Sequence, residues 1–458
     1  MENNKVDLDG LNPIPESVRP IRPLSYILIM WSTAIIVQVM AIGTFLLQDG
    51  LSLFQVVIVG VISAVLVAFF AAFNAFPGLK DGIPFIIQLR SSFGYKGAKL
   101  AYIFRIVPAI CWYGIGTWIG AVSIQTILTM LFDAPDMKFL YFILLTIFQI
   151  ILSYKGITSI KWFDAVVASA IFVMLAYFLT TVILSGNVDF SGYTNNSGSW
   201  GLLFWGGVSA ATANWATVML NNSDMMRHVK PANGKTNFLV NFIGIVPPWL
   251  AMVFSGLLIF VATGLDDPIA GLMSLSPNPT FGVILLIFIV LAQVTSNLTT
   301  SILPAALAFQ DLFKVKWGTG VIIAGVLSCI TAPWVLFTSD WFFTFQNIYS
   351  SFLGPMLGIL IADYWVLQKG KLNLSYLYNE DTEAYKFFKG FSPAACLSLF
   401  IAASISFWQL DIAWLVGLPA GFMLYIFFKK IGLEKKFEKT ASSSHHIKEA
   451  AVPNRPSI

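Results

Sequence analysis

Charged residues are scarce in this chain of 458 residues: they make up 11% of it, whereas 57% of the residues are hydrophobic. Soluble domains carry about 25% charged residues and about 45–50% apolar ones. A water-soluble enzyme is nearly excluded, because so few charges cannot cover its surface, and the apolar excess excludes a disordered chain. Cysteine and histidine number three each, which leaves little basis for a disulfide framework or a histidine metal site.

Long apolar runs are abundant instead. A helix that crosses a bilayer needs roughly 20 mostly apolar residues. Twelve such runs are found, at residues 24–47, 52–76, 101–131, 139–154, 164–185, 201–221, 238–263, 281–308, 320–337, 342–367, 393–408 and 411–428. The predicted fold class is therefore an all-α integral membrane protein with 12 transmembrane helices. The longest connections, 77–100 and 368–392, are too short to fold as a soluble catalytic domain.

Basic residues mark one side of this predicted bundle. Of the 27 Lys and Arg residues, only Lys138 falls in a loop on the side opposite the two tails. The opposite loops carry acids, namely Asp49, Asp133, Asp136, Asp189, Asp266, Asp267, Asp340 and Asp411. Because Lys and Arg concentrate in cytoplasmic loops, both termini are predicted to be cytoplasmic in a multi-pass protein of the cell membrane. The polar tails at 1–20 and 434–458 are predicted to be disordered.

Motifs of catalysis and of ATP binding are missing. No Gly-rich phosphate loop, H-E-x-x-H or G-x-S-x-G sequence occurs, which disfavours an enzyme and an ATP-driven pump. The middles of the predicted spans hold essentially no Asp, Glu, Lys or Arg, so neither an intramembrane protease nor a carboxylate proton relay is expected. A secondary transporter, a channel or a receptor remains.

Neutral polar residues cluster in three of the spans. Ala292, Thr295 and Ser296 share one helix face, and adjacent hydroxyls suit a hard cation such as sodium, although such residues also serve helix packing alone. Trp112 and Gly116 also share a face, which fits either close helix packing or a flat wall beside a planar ligand. A third cluster, which includes Trp215, reads as an interrupted helix.

Five motifs, in the right order, resemble those of the nucleobase–cation symporter-1 family, which comprises hydantoin, allantoin, uracil and cytosine permeases. They are Arg90-Ser-Ser-Phe-Gly-Tyr-Lys-Gly97, Trp112-Tyr-Gly, Trp215-Ala-Thr with Asn221 and Asp224, Thr295-Ser-Asn297, and Leu353-Gly-Pro-Met-Leu-Gly. The resemblance implies a transporter domain at 21–433. In it, two inverted five-helix repeats, about 24–185 and 201–367, precede two helices in 393–428, and access to a central site alternates.

The resemblance also implies the residues of that site. In hydantoin-type members two tryptophans sandwich the planar ring, and they correspond to Trp112 and Trp215, with Gln38 close by. The implied sodium ligands are the Thr295 and Ser296 hydroxyls and three carbonyls, at Ala292, Ala34 and Val37. Gln38 and the span-six backbone near Asn214 are the candidates for hydrogen bonding to the ring's amide edges, and Ser301 is a further one.

Two positions depart from the hydantoin pattern. Gly116 stands where those members have Gln, and Ser301 stands where they have Asn, so the space at Gly116 is predicted to admit a larger ring. The sequence predicts sodium-coupled uptake of a nucleobase or related planar nitrogen heterocycle by a monomer in the lipid bilayer, with no organic cofactor and no nucleic-acid partner. The alternatives are transport of a vitamin-like heterocycle, an amino acid or an amine, including proton-coupled transport, or a receptor or channel-like binding protein.

Overall fold

The computed structural model describes residues 8–154, 176, 180, 183, 188–193, 196–231, 233–380 and 383–435. Helices account for most of them, and the only β-type pairings in this part of the chain are isolated bridges. The helices are α1 (Pro23–Ala34), α2 (Val37–Gln48), α3 (Leu53–Asn74), α4 (Phe76–Asp81), α5 (Phe85–Phe132), α6 (Lys138–Tyr154), α7 (Leu202–Asn214), α8 (Ala216–Met226), α9 (Gly234–Thr263), α10 (Pro268–Ser274), α11 (Pro279–Ser296), α12 (Leu303–Phe313), α13 (Trp317–Ser328), α14 (Pro333–Leu336), α15 (Ser339–Ile361), α16 (Leu374–Tyr378), α17 (Pro393–Trp408) and α18 (Ala413–Lys430).

Helices occupy eleven of the twelve predicted spans, and the remaining span, 164–185, lies almost entirely outside the described residues. Within the described part, six helical segments are long and apolar enough to cross a bilayer, or seven if the bent pair α1 and α2 counts as one. The all-helical membrane fold is thereby confirmed, and twelve crossings remain a prediction.

The first predicted span is broken between α1 and α2. Ile36 has an extended backbone, with φ of −136° and ψ of 152°, and the axes of the two half-helices differ by 50°. This break ends α1 at Ala34 and begins α2 at Val37. Interrupted helices of this kind leave backbone groups available to a ligand or an ion at mid-membrane depth.

The sixth and eighth predicted spans are also irregular. Trp215, with φ of −106° and ψ of 16°, separates α7 from α8, and Asn221 departs from helical geometry again within α8. In the eighth span, the turn Asn297–Ile302 between α11 and α12 is π-helical. Single π-turns inside helices are frequent at functional sites, so these irregular segments mark a candidate site.

Glycine contacts bring the broken first span close to its neighbour. A Cβ added to Gly43 of α2 would overlap the main-chain oxygen of Val253 in α9, and one added to Gly256 of α9 would overlap that of Met40 in α2. Small residues allow membrane helices to approach closely, where van der Waals contact replaces the missing hydrophobic effect. The half-helix α2 is thereby fixed against α9.

The N-terminal segment before α1 packs on the end of the bundle that carries the basic loops. Arg227 donates from Nη1 to the main-chain oxygen of Gly10 at 2.8 Å, and the Tyr378 hydroxyl donates to that of Leu11 at 2.7 Å. The prediction of a disordered N-terminal tail is therefore wrong for residues 8–20, because side chains from distant parts of the chain hydrogen-bond to its backbone.

Candidate functional site

A small cavity lies where the two helix breaks meet the π-helical turn. Its lining residues are Thr33, Ile36, Gln38, Trp112, Asn214, Trp215, Thr217, Val218, Ser296, Asn297, Thr300 and Ser301. Five of the six predicted substrate-binding residues are in this set: Gln38, Trp112, Asn214, Trp215 and Ser301. Mixed aromatic and neutral polar walls of this kind suit a small ligand with polar edges.

Trp112 is held from two directions. Its Nε1 donates to the Tyr349 hydroxyl at 3.2 Å, and its ring meets Phe342 edge-on, with centroids 6.2 Å apart and an interplanar angle of 86°. The Tyr349 hydroxyl in turn donates to the main-chain oxygen of Ala213 at 2.8 Å. Tyr349 thus connects the aromatic wall on α5 to the break in the sixth span.

Trp215 occupies the break between α7 and α8 and is 3% exposed. Its ring meets that of Trp249 edge-on, with centroids 5.5 Å apart and an interplanar angle of 86°. Trp249 is itself anchored through Nε1 to the Ser63 hydroxyl at 3.2 Å. Edge-to-face contacts of this kind are favourable, so each of the two predicted sandwich tryptophans is held by a further aromatic residue.

Asn214 carries an unpaired donor. It is the last residue of α7, lines the cavity and is 4% exposed. Its side-chain Nδ2 is buried and has no hydrogen-bond partner. Leaving a buried donor unsatisfied costs about 1–3 kcal/mol, and an acceptor on a ligand would remove that cost.

Gly116 is the predicted substrate residue that the structure does not bring to the cavity. A Cβ added there would lie 2.6 Å from Oδ1 of Asn297. The Asn297 amide donates to the main-chain oxygen of Tyr113 at 3.2 Å and to Oε1 of Gln149 at 2.9 Å. The space beside Gly116 is therefore filled by an anchored side chain from the eighth span, and it is not open to a ring.

The five predicted sodium ligands are buried around the first break and α11. They are Ala34, Val37, Ala292, Thr295 and Ser296. The Thr295 hydroxyl donates to the main-chain oxygen of Ala292 at 3.0 Å, so two of the predicted ligand oxygens are neighbours. The Thr33 and Thr299 hydroxyls, 3.3 Å apart, connect α1 to the π-helical turn.

These oxygens have the chemistry that a small cation needs. Hydroxyl and carbonyl oxygens both keep lone pairs after donating or accepting one hydrogen bond. Among the described residues, no group of three or more His, Cys, Asp or Glu side chains converges on a common point. A cation held by the predicted ligands would therefore be bound through neutral oxygens.

Arg105 is a buried charge that the sequence interpretation did not single out. It lies in α5 and donates from Nε to the main-chain oxygen of Thr217 at 3.1 Å and to Oδ1 of Asn221 at 2.9 Å. Its Nη2 donates to the main-chain oxygen of Thr300 at 3.0 Å. Thr217 and Thr300 both line the cavity, and a lone Arg in the apolar run 101–131 was the available signal.

The bundle of apolar helices, with its broken helices around a buried aromatic and polar cavity, defines a membrane transporter of the permease class. A sequence profile for permeases of cytosine/purines, uracil, thiamine and allantoin matches residues 13–427. The chain belongs to this family, the nucleobase–cation symporter-1 permeases, and is a multi-pass membrane transporter with no enzymatic activity implied.

Two bacterial relatives match nearly the whole chain. A hydantoin permease of Microbacterium maritypicum is 24% identical over 90% of this chain and 87% of its own length. An allantoin permease of Bacillus subtilis is 23% identical over 94% of both chains. The solved structure of Mhp1, a nucleobase-cation-symport-1 family transporter closed around bromovinylhydantoin, matches with a TM-score of 0.83 at 21% identity over 92% of this chain and 94% of its own. That likeness establishes the fold.

Proposed function

We propose that this chain is a sodium-coupled symporter that takes up a nucleobase or related planar nitrogen heterocycle by alternating access. The observation that carries the proposal is the cavity between the two helix breaks, which places two tryptophans beside an unpaired amide donor at Asn214. Its relatives include permeases for hydantoin and for allantoin, and both compounds are nitrogen heterocycles that carry amide groups, as nucleobases such as uracil do.

Substrate recognition rests on neutral groups. The ring packs against Trp112 and Trp215, where a favourable aromatic pair contributes about 0.5–1.5 kcal/mol beyond the burial of its area. The cavity lining contains no ionisable side chain. The polar edges of the ring are therefore bound through hydrogen bonds to neutral side chains, namely Gln38, Asn214 and Ser301. A neutral heterocycle therefore fits this site better than a zwitterion or an amine.

Sodium coupling rests on the buried oxygens beside the same cavity. Ser296 lines the cavity, whereas Ala292 and Thr295 continue the same turn of α11 away from it. An ion bound both by these α11 oxygens and by the carbonyls at the ends of α1 and α2 would stabilise the break between α1 and α2, which forms part of the substrate site. The two binding events are thereby coupled through one backbone segment, in a monomer whose termini are both cytoplasmic.

Uptake into proteoliposomes tests the proposal. Purified protein is reconstituted, and the accumulation of labelled uracil, cytosine, hypoxanthine, allantoin and a hydantoin is measured with and without an inward sodium gradient. We expect at least one of them to accumulate only when the sodium gradient is present. Uptake that follows a proton gradient and ignores sodium would overturn the coupling, and the failure of all five to bind or accumulate would overturn the substrate class.

Two tryptophans of the same helix provide a matched pair of variants. Trp112→Ala should abolish uptake, because it removes a wall of the cavity. Trp118 packs instead against Trp334, with ring centroids 5.5 Å apart, and Trp118→Ala should leave substrate affinity unchanged. If Trp112→Ala and Trp118→Ala lowered substrate affinity equally, the loss would come from a disturbed α5 and not from a missing contact between Trp112 and the substrate.

A further inference from the structure

Arg105 lies between the substrate cavity and the end of the bundle that carries the basic loops. The helix α5 begins close to Arg90 and Lys96 and ends at Phe132, next to an acidic loop. Arg105 precedes Trp112 by seven residues, which is about 10 Å along a helix that rises 1.5 Å per residue. The guanidinium is therefore on the basic-loop side of the aromatic wall.

This one guanidinium joins α5 to two elements that line the cavity. Its Nε donates to the main-chain oxygen of Thr217 in α8 at 3.1 Å, and its Nη2 donates to that of Thr300 in the π-helical turn at 3.0 Å. Both of these residues line the cavity. Nε also donates to Oδ1 of Asn221, one turn further along α8, at 2.9 Å. Arg105 thus holds α8 and the π-helical turn together on the basic-loop side of the cavity.

The charge of Arg105 is held by neutral oxygens. The residue is 2% exposed, and its Nη1 is buried without a hydrogen-bond partner. None of the ion pairs found in the described part of the chain includes Arg105, and the Asp224 carboxylate acts on it only from beyond ion-pair distance. Burying a charge without a close counter-charge costs free energy. Water that entered from the basic-loop side would therefore stabilise the guanidinium and favour its release from these oxygens.

Open space is found on the opposite side of Trp112. Trp118, six residues further along α5, lines a cavity of about 370 Å³ together with Asp266 and Asp267 of an acidic loop. In this conformation the Arg105 contacts lie toward the basic loops, and the larger cavity lies toward the acidic ones.

We propose that Arg105 is the latch that closes the substrate cavity toward the basic loops, which rests on the alternating access proposed above. While its hydrogen bonds to Thr217 and Thr300 hold, α8 and the π-helical turn stay together, and a ligand cannot pass between them. When the two elements separate, the guanidinium becomes hydrated and the cavity opens on that side. Arg105 acts in this opening step and does not touch the substrate.

Cysteine accessibility tests the latch. Val218 lines the cavity, and Val218→Cys is made in protein whose three cysteines, Cys111, Cys329 and Cys396, are replaced by Ala. A membrane-impermeant thiol reagent is added to either side of sealed vesicles without substrate, and the two labelling rates are compared. We expect Arg105→Met to raise the rate from the basic-loop side, relative to the other side, by about 10-fold or more, the effect on an equilibrium of losing one hydrogen bond to a charged group. An unchanged ratio of the two rates would overturn the proposal.

Asn221→Leu tests the same contact from its other partner. It removes one acceptor of Arg105, so it should shift the ratio of labelling rates in the same direction. Adding Arg105→Met to it should shift the ratio by less than Arg105→Met does alone, because the two residues act through one contact. Independent, additive shifts would contradict a shared latch.

Arg19 provides a matched buried arginine. It is 3% exposed and donates to the main-chain oxygens of Ile14 and Leu79, neither of which lines the cavity. Arg19→Met should lower the melting temperature and leave the ratio of labelling rates unchanged. If Arg105→Met behaves in the same way, Arg105 is a structural contact and not a latch.

Failure of this inference and failure of the proposed function give different results, because the labelling needs no substrate. Sodium-driven uptake of a heterocycle, with an unchanged labelling ratio in both Arg105→Met and Asn221→Leu, contradicts the latch alone. A raised ratio in protein that accumulates none of the heterocycles supports the latch and contradicts the proposed substrate class.

Discussion

The Tyr349 hydroxyl accepts a hydrogen bond from Nε1 of Trp112 at 3.2 Å. Because the same hydroxyl donates to the main-chain oxygen of Ala213 at 2.8 Å, one oxygen satisfies the indole and a carbonyl beside the break in the sixth span. Tyr349 belongs to α15, so three helices meet at this single group. The orientation of the aromatic wall is therefore coupled to the position of the half-helix α7.

Removal of that hydroxyl tests the coupling. Tyr349→Phe leaves the indole N–H and the Ala213 oxygen without this partner, and we expect a loss of about 1–3 kcal/mol in the free energy of unfolding. Substrate affinity should fall as well, because Trp112 is no longer fixed. Thermal unfolding with and without ligand measures both effects, and Tyr376→Phe, at a side chain that is 42% exposed, is the control that should change neither.

The positions of the aromatic and amide residues were predictable from the sequence because each belongs to a local motif. Trp112, Trp215 and Asn214 sit in short runs whose composition already signals an interrupted or closely packed helix, and the cavity brings them together. The all-helical membrane class likewise follows from the length of the apolar runs, which is a property of contiguous sequence.

Partners supplied by distant segments were not predictable in this way. Gln293 meets Gln38 across 255 positions of the chain, and a single glutamine in an apolar run gives no sign of which residue it will pair with. Asn297 belongs to a recognised motif, yet its contact with Gly116 depends on how closely α5 and the π-helical turn Asn297–Ile302 approach each other. That distance is set by packing of the whole bundle.

Gly116 gives a stability prediction that follows from this packing. Gly116→Ala places a Cβ 2.6 Å from Oδ1 of Asn297, and Asn297 cannot move without breaking its own hydrogen bonds. Overpacking of this kind costs about 1–3 kcal/mol, so a lower melting temperature is expected, with or without ligand.

A second substitution distinguishes packing from ligand contact at Gly116. Asn297→Ala removes the obstructing amide, so Gly116→Ala should cost less in that background than in the wild type. If Gly116→Ala instead keeps full stability and changes substrate preference, Gly116 lines the substrate site directly.

Sodium affinity is predicted to depend on Thr295 and Ser296. Thr295→Ala or Ser296→Ala removes one oxygen ligand each, and by analogy with hydrogen bonds to charged groups each loss costs about 1.5–3 kcal/mol. The apparent sodium affinity should therefore fall by roughly 10- to 150-fold, measured as the sodium dependence of substrate binding.

Thr300 provides the matched hydroxyl for that experiment. Its Oγ1 donates to the main-chain oxygen of Ser296 at 2.8 Å, and it is not among the predicted ligands, so Thr300→Ala should leave sodium affinity near the wild-type value. Normal sodium dependence in both Thr295→Ala and Ser296→Ala would mean that the ion binds elsewhere or that none is coupled.

Asn214 offers the sharpest separation of function from stability. Its buried Nδ2 has no partner, so Asn214→Leu removes an unsatisfied donor, and the ligand-free protein should be at least as stable as the wild type. Substrate affinity should fall by about 10-fold or more, because an acceptor on the ring loses its donor. Asn297→Leu is the contrasting variant: Nδ2 of that amide donates to Tyr113 and Gln149, so the same change there should destabilise the protein. Asn214→Leu protein that unfolds more easily and binds its substrate normally would show that Asn214 supports the helix break and does not read the ring.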